Sequence, residues 1–275
     1  MNMLADKVAI ITGAARGIGA AVATKLSEWG ASVVMADLDG DALSESAGRL
    51  AGTALPVPID LTDPGAGDRL VACAVDGFGR LDIVVNNAGY TWDGPIHRMT
   101  DEQFQAMLDI HTVAPFRILR AAAGPMREAA KRELAVGQPT HRKVVNVVSL
   151  SGLMGQGGQV NYSSAKGATI AMTKALAKEW GALGINVNAV APGFIDTRLT
   201  AATTDDNVIE VAGGARQLGI SSAVRDLAIA TNPMGRVGTA GEIAEAVAWL
   251  SSPASDYVTG QVLSVSGGQM AGMAW

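Results

Sequence analysis

Tyr162 and Lys166 stand four residues apart in the run Asn161-Tyr-Ser-Ser-Ala-Lys166-Gly167. On a helix, residues i and i+4 share a face about one turn apart, so this spacing holds a phenol beside an ammonium. The positive charge favours the phenolate and is expected to draw the tyrosine pKa down toward the range useful for proton transfer. Ser149 follows the apolar run Val144-Val-Asn-Val-Val148, and a hydroxyl delivered from a strand end can hydrogen-bond a reacting carbonyl oxygen. These are the groups of a carbonyl/alcohol redox site, which needs a hydride carrier. A tyrosine and a lysine at helical spacing are also common on plain helix surfaces. The weight therefore rests on a second signal.

That signal lies near the N-terminus. Lys7-Val-Ala-Ile-Ile-Thr12 reads as a buried strand and runs into Gly13-Ala-Ala-Arg16-Gly17-Ile18-Gly19. Ile18, Val22, Leu26 and Trp29 then recur at helical spacing, and Gly30 closes the helix. A strand, a glycine turn and a helix start make a seat for a pyrophosphate: the glycines let the backbone approach, and the helix offers free N–H groups. The spacing is not the common GxGxxG, and no Gly-Lys-Ser/Thr of a triphosphate loop follows. The next strand, Ser32–Ala36, ends at Asp37, where a carboxylate can hold a ribose diol and repel a 2′-phosphate. This favours NAD over NADP, although Arg16 inside the turn could pair with a phosphate. The plainer role for Asp37 is a helix cap near Asp39.

Taken together, Thr12-Gly13-x-x-x-Gly17-Ile18-Gly19, Asn86-Asn87-Ala88-Gly89, Ser149, Tyr162-x-x-x-Lys166 and Pro192-Gly193 resemble the short-chain dehydrogenase/reductase family. They occur in the family's order across nearly the whole chain. The single-domain members similar to 3-oxoacyl-carrier-protein reductases match best, through Gly155–Tyr162 and Val258–Gly268. The resemblance implies that Ser149 polarises the substrate oxygen, Tyr162 exchanges its proton, and Lys166 lowers the tyrosine pKa and holds the nicotinamide ribose. It implies a dinucleotide seat at Gly13, Arg16, Gly17, Ile18 and Gly19, with Asp37 on the ribose. Asp60 and Leu61 would meet the adenine, Asn87, Ala88 and Gly89 the adenosine side, and Pro192, Gly193, Ile195 and Thr197 the nicotinamide end. Ser151 is a competing hydroxyl, and the family spacing favours Ser149. It also implies a homotetramer built on the helix around Asp101–Glu133 and the C-terminal region, with the tail Met270–Trp275 against a neighbour.

One position departs from the family. In Asp109-Ile110-His111-Thr-Val-Ala-Pro115-Phe116, His111 stands where an asparagine is usual. In the family that residue helps fix, partly through its backbone carbonyl, a water linking the lysine to solvent. An imidazole titrating near neutrality would join the relay and shift the pH profile. A hydrogen-bonded histidine without a catalytic part is the alternative.

Size and composition bound these readings. The 275 residues are 48% apolar and include 33 glycines, which fits one α/β domain with many tight turns. A net charge of −5 and the lack of a basic cluster exclude a nucleic-acid partner. Lys131-Arg132 and His141-Arg-Lys143 are expected to form a solvated face. Cys73, the single cysteine, packs as a small hydrophobe on a helix, and three scattered histidines predict no metal. Met1–Asp6 shows no signal-peptide pattern and no run is long enough to span a membrane, so a cytoplasmic protein is expected.

Strand-like runs at Val8–Thr12, Ser32–Ala36, Ala54–Ile59, Ile83–Asn86, Val144–Ser149, Asn186–Ala191 and Gln261–Val265 alternate with helical segments. The latter include Asp101–Glu133, broken at Pro115 and Pro125, and Asn161–Leu183. This predicts a doubly wound, Rossmann-like parallel sheet of about seven strands with helices on both faces and ligands beyond the strand ends. Arg127–Lys143 reads as a surface excursion. Phe194–Arg236 reads as a substrate lid with one or two short helices, or else as a packing excursion. Trp92, Leu153, Met154, Gln159, Phe194, Ile195 and Leu199 predict a mainly apolar pocket for a secondary alcohol or ketone, with Arg98 and Arg198 as candidates for an anion. The rival readings are an NAD(H)-binding sensor or scaffold that has lost turnover through His111, and an isomerase or dehydratase.

Overall fold

Four consecutive apolar residues and Thr12, all buried, make Val8–Thr12 an interior strand, β1. The computed structural model describes residues 2–138, 141–201, 208–211 and 214–269, so the tail Met270–Trp275 lies outside them. From β1 the chain alternates: α1 (Gly17–Glu28), β2 (Ser32–Asp37), α2 (Gly40–Gly48), β3 (Ala54–Pro58), α3 (Ala66–Phe78), β4 (Ile83–Asn86), α4 (Asp101–Leu108), α5 (Ala114–Ala135) and β5 (Arg142–Val147). Then follow α6 (Leu150–Met154), α7 (Val160–Trp180), β6 (Ile185–Pro192), β7 (Ile195–Asp196), β8 (Val208–Val211), β9 (Gly214–Gln217), α8 (Ser222–Thr231), β10 (Gly238–Thr239), α9 (Ala240–Leu250) and β11 (Val262–Val265).

Seven strands form one sheet in the order β11-β6-β5-β4-β1-β2-β3, every pairing parallel. The order reverses at β1 and β4, so the crevice beyond their carboxyl ends is the ligand position of such a sheet. Parallel strands buried on both faces need apolar cover on each side. One layer gathers Val22, Leu26, Ile243 and Val247 over Ile11 and Val33. The other gathers Leu70, Ile118, Leu119 and Trp180 over Ile10, Val34 and Val84. Cys73 packs on the edge of this second layer.

Several expectations need correction. Pro125 lies inside α5 without ending it, and Pro115 occupies the helix's first turn, where a missing N–H costs nothing. The break falls earlier, as a π-helical turn over Asp109–Val113 around His111. Arg127–Ala135 continues α5 instead of forming an excursion. Arg142 and Lys143 open β5 and are 2% and 0% exposed, so they are not a solvated face. Arg142 is held by Glu133 at 2.5 and 2.9 Å with Asp82 at 3.9 Å. Lys143 Nζ donates to Asn186 Oδ1 at 2.8 Å and Asp256 Oδ1 at 2.6 Å. Buried charges persist only when paired in this way. The segment expected as a lid carries α8 and an antiparallel β8–β9 hairpin that the sequence did not suggest. No described helix is long and apolar enough to cross a membrane.

Candidate active site

The glycine turn is shaped by what lies beneath it. A Cβ on Gly19 would meet Gly13 O at 2.0 Å, and one on Gly13 would meet Ala88 Cα at 2.8 Å, so neither position accepts a side chain. Asn87 Nδ2 braces the turn by donating to Thr12 O at 2.9 Å and Gly13 O at 3.2 Å. Thr12 Oγ1 accepts from the N–H groups of Asn87 and Ala88. The N-cap of α1, Arg16, supplies no side-chain cap, which leaves the positive helix end facing the crevice.

Above this turn lies a cavity of about 250 Å³. Gly13, Arg16, Gly17, Ile18, Asp37, Asp60, Leu61, Asn87, Ala88, Gly89 and Thr197 all line it. Gly19 lies beneath the turn. Ala15, Leu38, Ile59, Thr62, Tyr90 and Ile110 also line it, joined by Arg198, Leu199, Ile209 and Leu218 from the segment after β6. Leu199 and Arg198 were expected near the substrate, whereas sequence reasoning missed the others because the fold brings them in from separate segments. Pro192, Gly193 and Ile195 do not line the cavity, and neither do Ser149, Tyr162 and Lys166. Pro192 pairs with Val265 in the sheet, Gly193 N donates to Val265 O at 3.0 Å, and Ile195 is buried in the core.

Asp37 ends β2 with both carboxylate oxygens engaged. Oδ2 accepts from Ala15 N at 3.0 Å and Oδ1 from Asp39 N at 3.1 Å. Asp39, not Asp37, caps α2 by accepting from Ala42 N. Arg16 turns to Asp39 at 2.6 Å, and the Ala42 bond together with Arg16 holds the Asp39 carboxyl below its usual range. Asp60 accepts from Thr62 N and Thr62 Oγ1 at 2.8 and 2.7 Å.

Ser149 is the N-cap of α6, its Oγ accepting from Ser151 N at 3.1 Å. The short helix α6 lies close on α7, where a Cβ on Gly152 would fall 2.7 Å from Lys166 Cβ. This contact brings Ser149 beside Tyr162 and Lys166. The Lys166 ammonium donates to Val147 O at 2.8 Å and lies 5.7 Å from the Tyr162 ring centroid.

The expected acidification of Tyr162 is overturned. Burial pushes the phenol up to about 12, the Ser149 hydroxyl opposes this, and the Asp93 carboxylate adds to it. Burial also pulls Lys166 down to about 7. A low-dielectric site penalises phenolate and ammonium alike, and burial is the leading cause of both shifts.

His111 is 3% exposed. Its Nε2 lies 2.7 Å from Tyr90 O, and because a carbonyl only accepts, Nε2 carries the proton. Nδ1 is buried and has no partner among the described residues. The ring stands edge-on to Tyr162, with centroids 4.9 Å apart. Burial and the Lys166 charge hold the imidazole well below its ordinary pKa, so it does not titrate near neutrality as expected. The His111 carbonyl accepts from Thr169 Oγ1 at 2.6 Å. Gly89 is required opposite it, since a Cβ there would lie 2.0 Å from His111 Cε1.

A family model described as enoyl-(acyl carrier protein) reductase matches residues 13–270. The chain belongs to the short-chain dehydrogenase/reductase family. It is 37% identical over 270 residues to a 3-oxoacyl-(acyl-carrier-protein) reductase of Vibrio cholerae, covering 96% of this chain and 98% of the relative. The same-named reductase of Escherichia coli is 37% identical over 267 residues, 95% of this chain and 96% of the relative. An uncharacterized oxidoreductase of Mycobacterium bovis is 38% identical over 270 residues, 98% of each chain. In this short-chain dehydrogenase/reductase, Ser149, Tyr162 and Lys166 converge on one place from the start of α6 and one face of α7.

Proposed function

We propose that this protein is an NAD(H)-dependent oxidoreductase that interconverts a secondary alcohol and a ketone. The observation that carries the reading is the meeting of Ser149, Tyr162 and Lys166 in a chain whose glycine turn and Asp37 line a cavity, with Tyr90, Leu199, Ile209 and Leu218 of that cavity packed in one cluster with Tyr162. The residues fit a dinucleotide: Gly13, Gly17 and Ile18 leave room for phosphates, and α1 presents its positive end. Asp37 and Asp39 concentrate negative charge at the ribose position and Arg16 is tied to Asp39, which supports NAD over NADP. The nicotinamide ring supplies hydride chemistry when bound. Ser149 hydrogen-bonds the substrate oxygen, and Tyr162 donates or takes its proton. With its phenol near 12, Tyr162 is protonated at neutral pH and therefore set to donate, which suits carbonyl reduction. Lys166 holds the ribose and supports tyrosine ionisation in the reverse direction.

The segment from Phe194 to Arg236 acts as a lid: Leu199, Ile209 and Leu218 pack with Tyr90, Met107 and Tyr162, and such cover excludes water from the hydride path. The protein works in the cytoplasm as a homotetramer, with the α4–α5 region as one interface. Phe116, half exposed on α5 under the Arg120 guanidinium, is an apolar contact for a neighbour.

The test is a panel of ketones and secondary alcohols with NAD and with NADP, followed at the nicotinamide absorbance, with Tyr162→Phe in parallel. Loss of the phenol should cost roughly 10²- to 10⁴-fold in kcat and leave NADH affinity nearly intact. The second reading, an NAD(H)-binding sensor, rests on the His111 ring standing edge-on to Tyr162 with centroids 4.9 Å apart. Tight NADH binding without turnover of any panel member would decide for it.

A further inference from the structure

The two arginines considered for a substrate anion fall in different places. Arg98 sits in the exposed turn Ile96–Arg98. Arg198 lines the nucleotide cavity instead, on the turn that follows β7. That turn is held in place from several sides. Ile195 pairs with Gly238, Thr197 N donates to Thr200 Oγ1 at 3.1 Å, and Ala201 N donates to Thr197 O at 2.8 Å. Arg225 braces it from α8, donating to Thr200 O at 3.2 Å and Asp196 Oδ1 at 3.1 Å. The turn lies against the phosphate seat, since a Cβ on Gly17, the first residue of α1, would stand 3.8 Å from Thr197 Cγ2. Arg198 is the next residue along.

Charge balance gives this guanidinium a task. Among the described residues, the charged side chains lining the cavity are Arg16, Asp37, Asp60 and Arg198, and their charges cancel before a ligand enters. A dinucleotide brings further negative charge on its diphosphate, and the start of α1 offsets only about half a unit of it. Arg16 is committed to Asp39 at 2.6 Å. Arg198 also bears on that end of the cavity: behind the Ala42 N–H and Arg16, its charge helps to hold the Asp39 carboxyl down. A guanidinium presents its N–H donors in a planar fork that matches phosphate oxygens. The same side chain reaches the lid, where Arg198 Nη2 donates to Val208 O at 2.9 Å. Val208 opens β8, and its neighbour Ile209 packs with Leu199 and Leu218 in the cluster that includes Tyr162.

We infer that Arg198 grips the diphosphate of the bound dinucleotide, and that this grip, passed through Val208, fastens the β8–β9 hairpin over Tyr162. This rests on the dinucleotide reading above and adds a closure operated by the cofactor itself. The family resemblance assigns the phosphate seat to the glycine turn and gives Arg198 no part in it.

The test uses ADP-ribose, which carries the diphosphate but no nicotinamide, beside NADH. Calorimetry should show Arg198→Gln weakening both ligands alike, by roughly 10- to 100-fold, the range for hydrogen bonds to charged groups. Arg198→Lys keeps the charge without the fork and should recover part of the loss. Added salt should weaken binding more steeply in the wild type than in Arg198→Gln, because screening acts on the lost charge. In hydrogen exchange, saturating ADP-ribose should slow the amides of Val208–Val211 and Gly214–Gln217 in the wild type and leave those of Arg198→Gln unchanged. ADP-ribose affinity unmoved by Arg198→Gln, or a loss with equal salt slopes in the two proteins, overturns the grip. Hairpin exchange indifferent to ADP-ribose in the wild type, or slowed equally in both proteins, overturns the fastening. A wild type that binds neither ADP-ribose nor NADH overturns the dinucleotide reading and this inference with it.

Discussion

Replacing Lys166 by methionine should make the protein more stable below neutral pH while destroying its activity. Lys166 is 5% exposed and its pKa falls from 10.5 to about 7 because burial penalises the ammonium. Between those two values the unfolded chain binds the proton and the folded one does not, so stability rises as pH climbs from about 7 toward 10.5. At about 1.4 kcal/mol per pKa unit, keeping the charge in the fold at pH 6 costs on the order of 5 kcal/mol, and by pH 10 most of this cost has gone. Methionine has a similar volume and no charge, but it deprives Val147 O of its donor, worth about 1–3 kcal/mol. The expected result is a variant more stable by roughly 2–3 kcal/mol at pH 6 and less stable by about 1 kcal/mol at pH 10. The two stability curves therefore cross. Urea unfolding of both proteins at fixed concentration across pH 6–10 is the assay, and it stops short of the range where Tyr162, shifted from 10.0 to about 12, adds its own dependence. Parallel curves, or a variant weaker at every pH, would refute the claim that a functional site stores this electrostatic cost.

Gly89→Ala should destabilise by about 1–3 kcal/mol through overpacking against His111. In a His111→Ala background most of that cost should vanish, and additive effects in the double-mutant cycle would show that the 2.0 Å approach is not the cause. Asp37→Ser removes a carboxylate that also accepts from Ala15 N, and it should move the ratio of kcat/KM for NAD over NADP toward NADP by roughly 10-fold or more, about 1.4 kcal/mol. An unchanged ratio would place the selectivity elsewhere. Asp82, wholly buried, accepts from Arg80 and from Val8 N and faces Arg142, so Asp82→Asn should cost about 3–5 kcal/mol, read as a lowered urea midpoint with unaltered KM.

The interior strands were legible because most are short apolar, β-branched runs closed by a turn residue, and in a parallel sheet that local composition is dictated by burial on both faces. The pattern failed where burial is bought by distant partners. Arg142 and Lys143 look solvated in any local window, yet Asp82, Glu133, Asn186 and Asp256 carry them into β5. Pro125 looks like a helix end, but Ala122, Met126 and Ala130 pack around it in the core, and tertiary contacts offset the lost helical bond. The β8–β9 hairpin escaped notice because Gly214–Gln217 lacks the alternation that marks a strand.

The candidate site shows the same division at the level of chemistry. Spacing could bring Tyr162 and Lys166 to one helix face, since that depends only on the helical repeat. It could not say whether their attraction or their shared burial dominates. That balance is decided by burial, which penalises the charged form of both groups. Asp93, 69 residues before Tyr162 along the chain, reaches the site only because Gln159 and Asn161 fasten its segment to the start of α7. His111 illustrates the point most directly: its identity suggested a titrating relay, but a buried imidazole bonded to Tyr90 O stays neutral. Residue type and spacing thus locate the reacting groups, while their protonation states follow from groups that only the fold brings near.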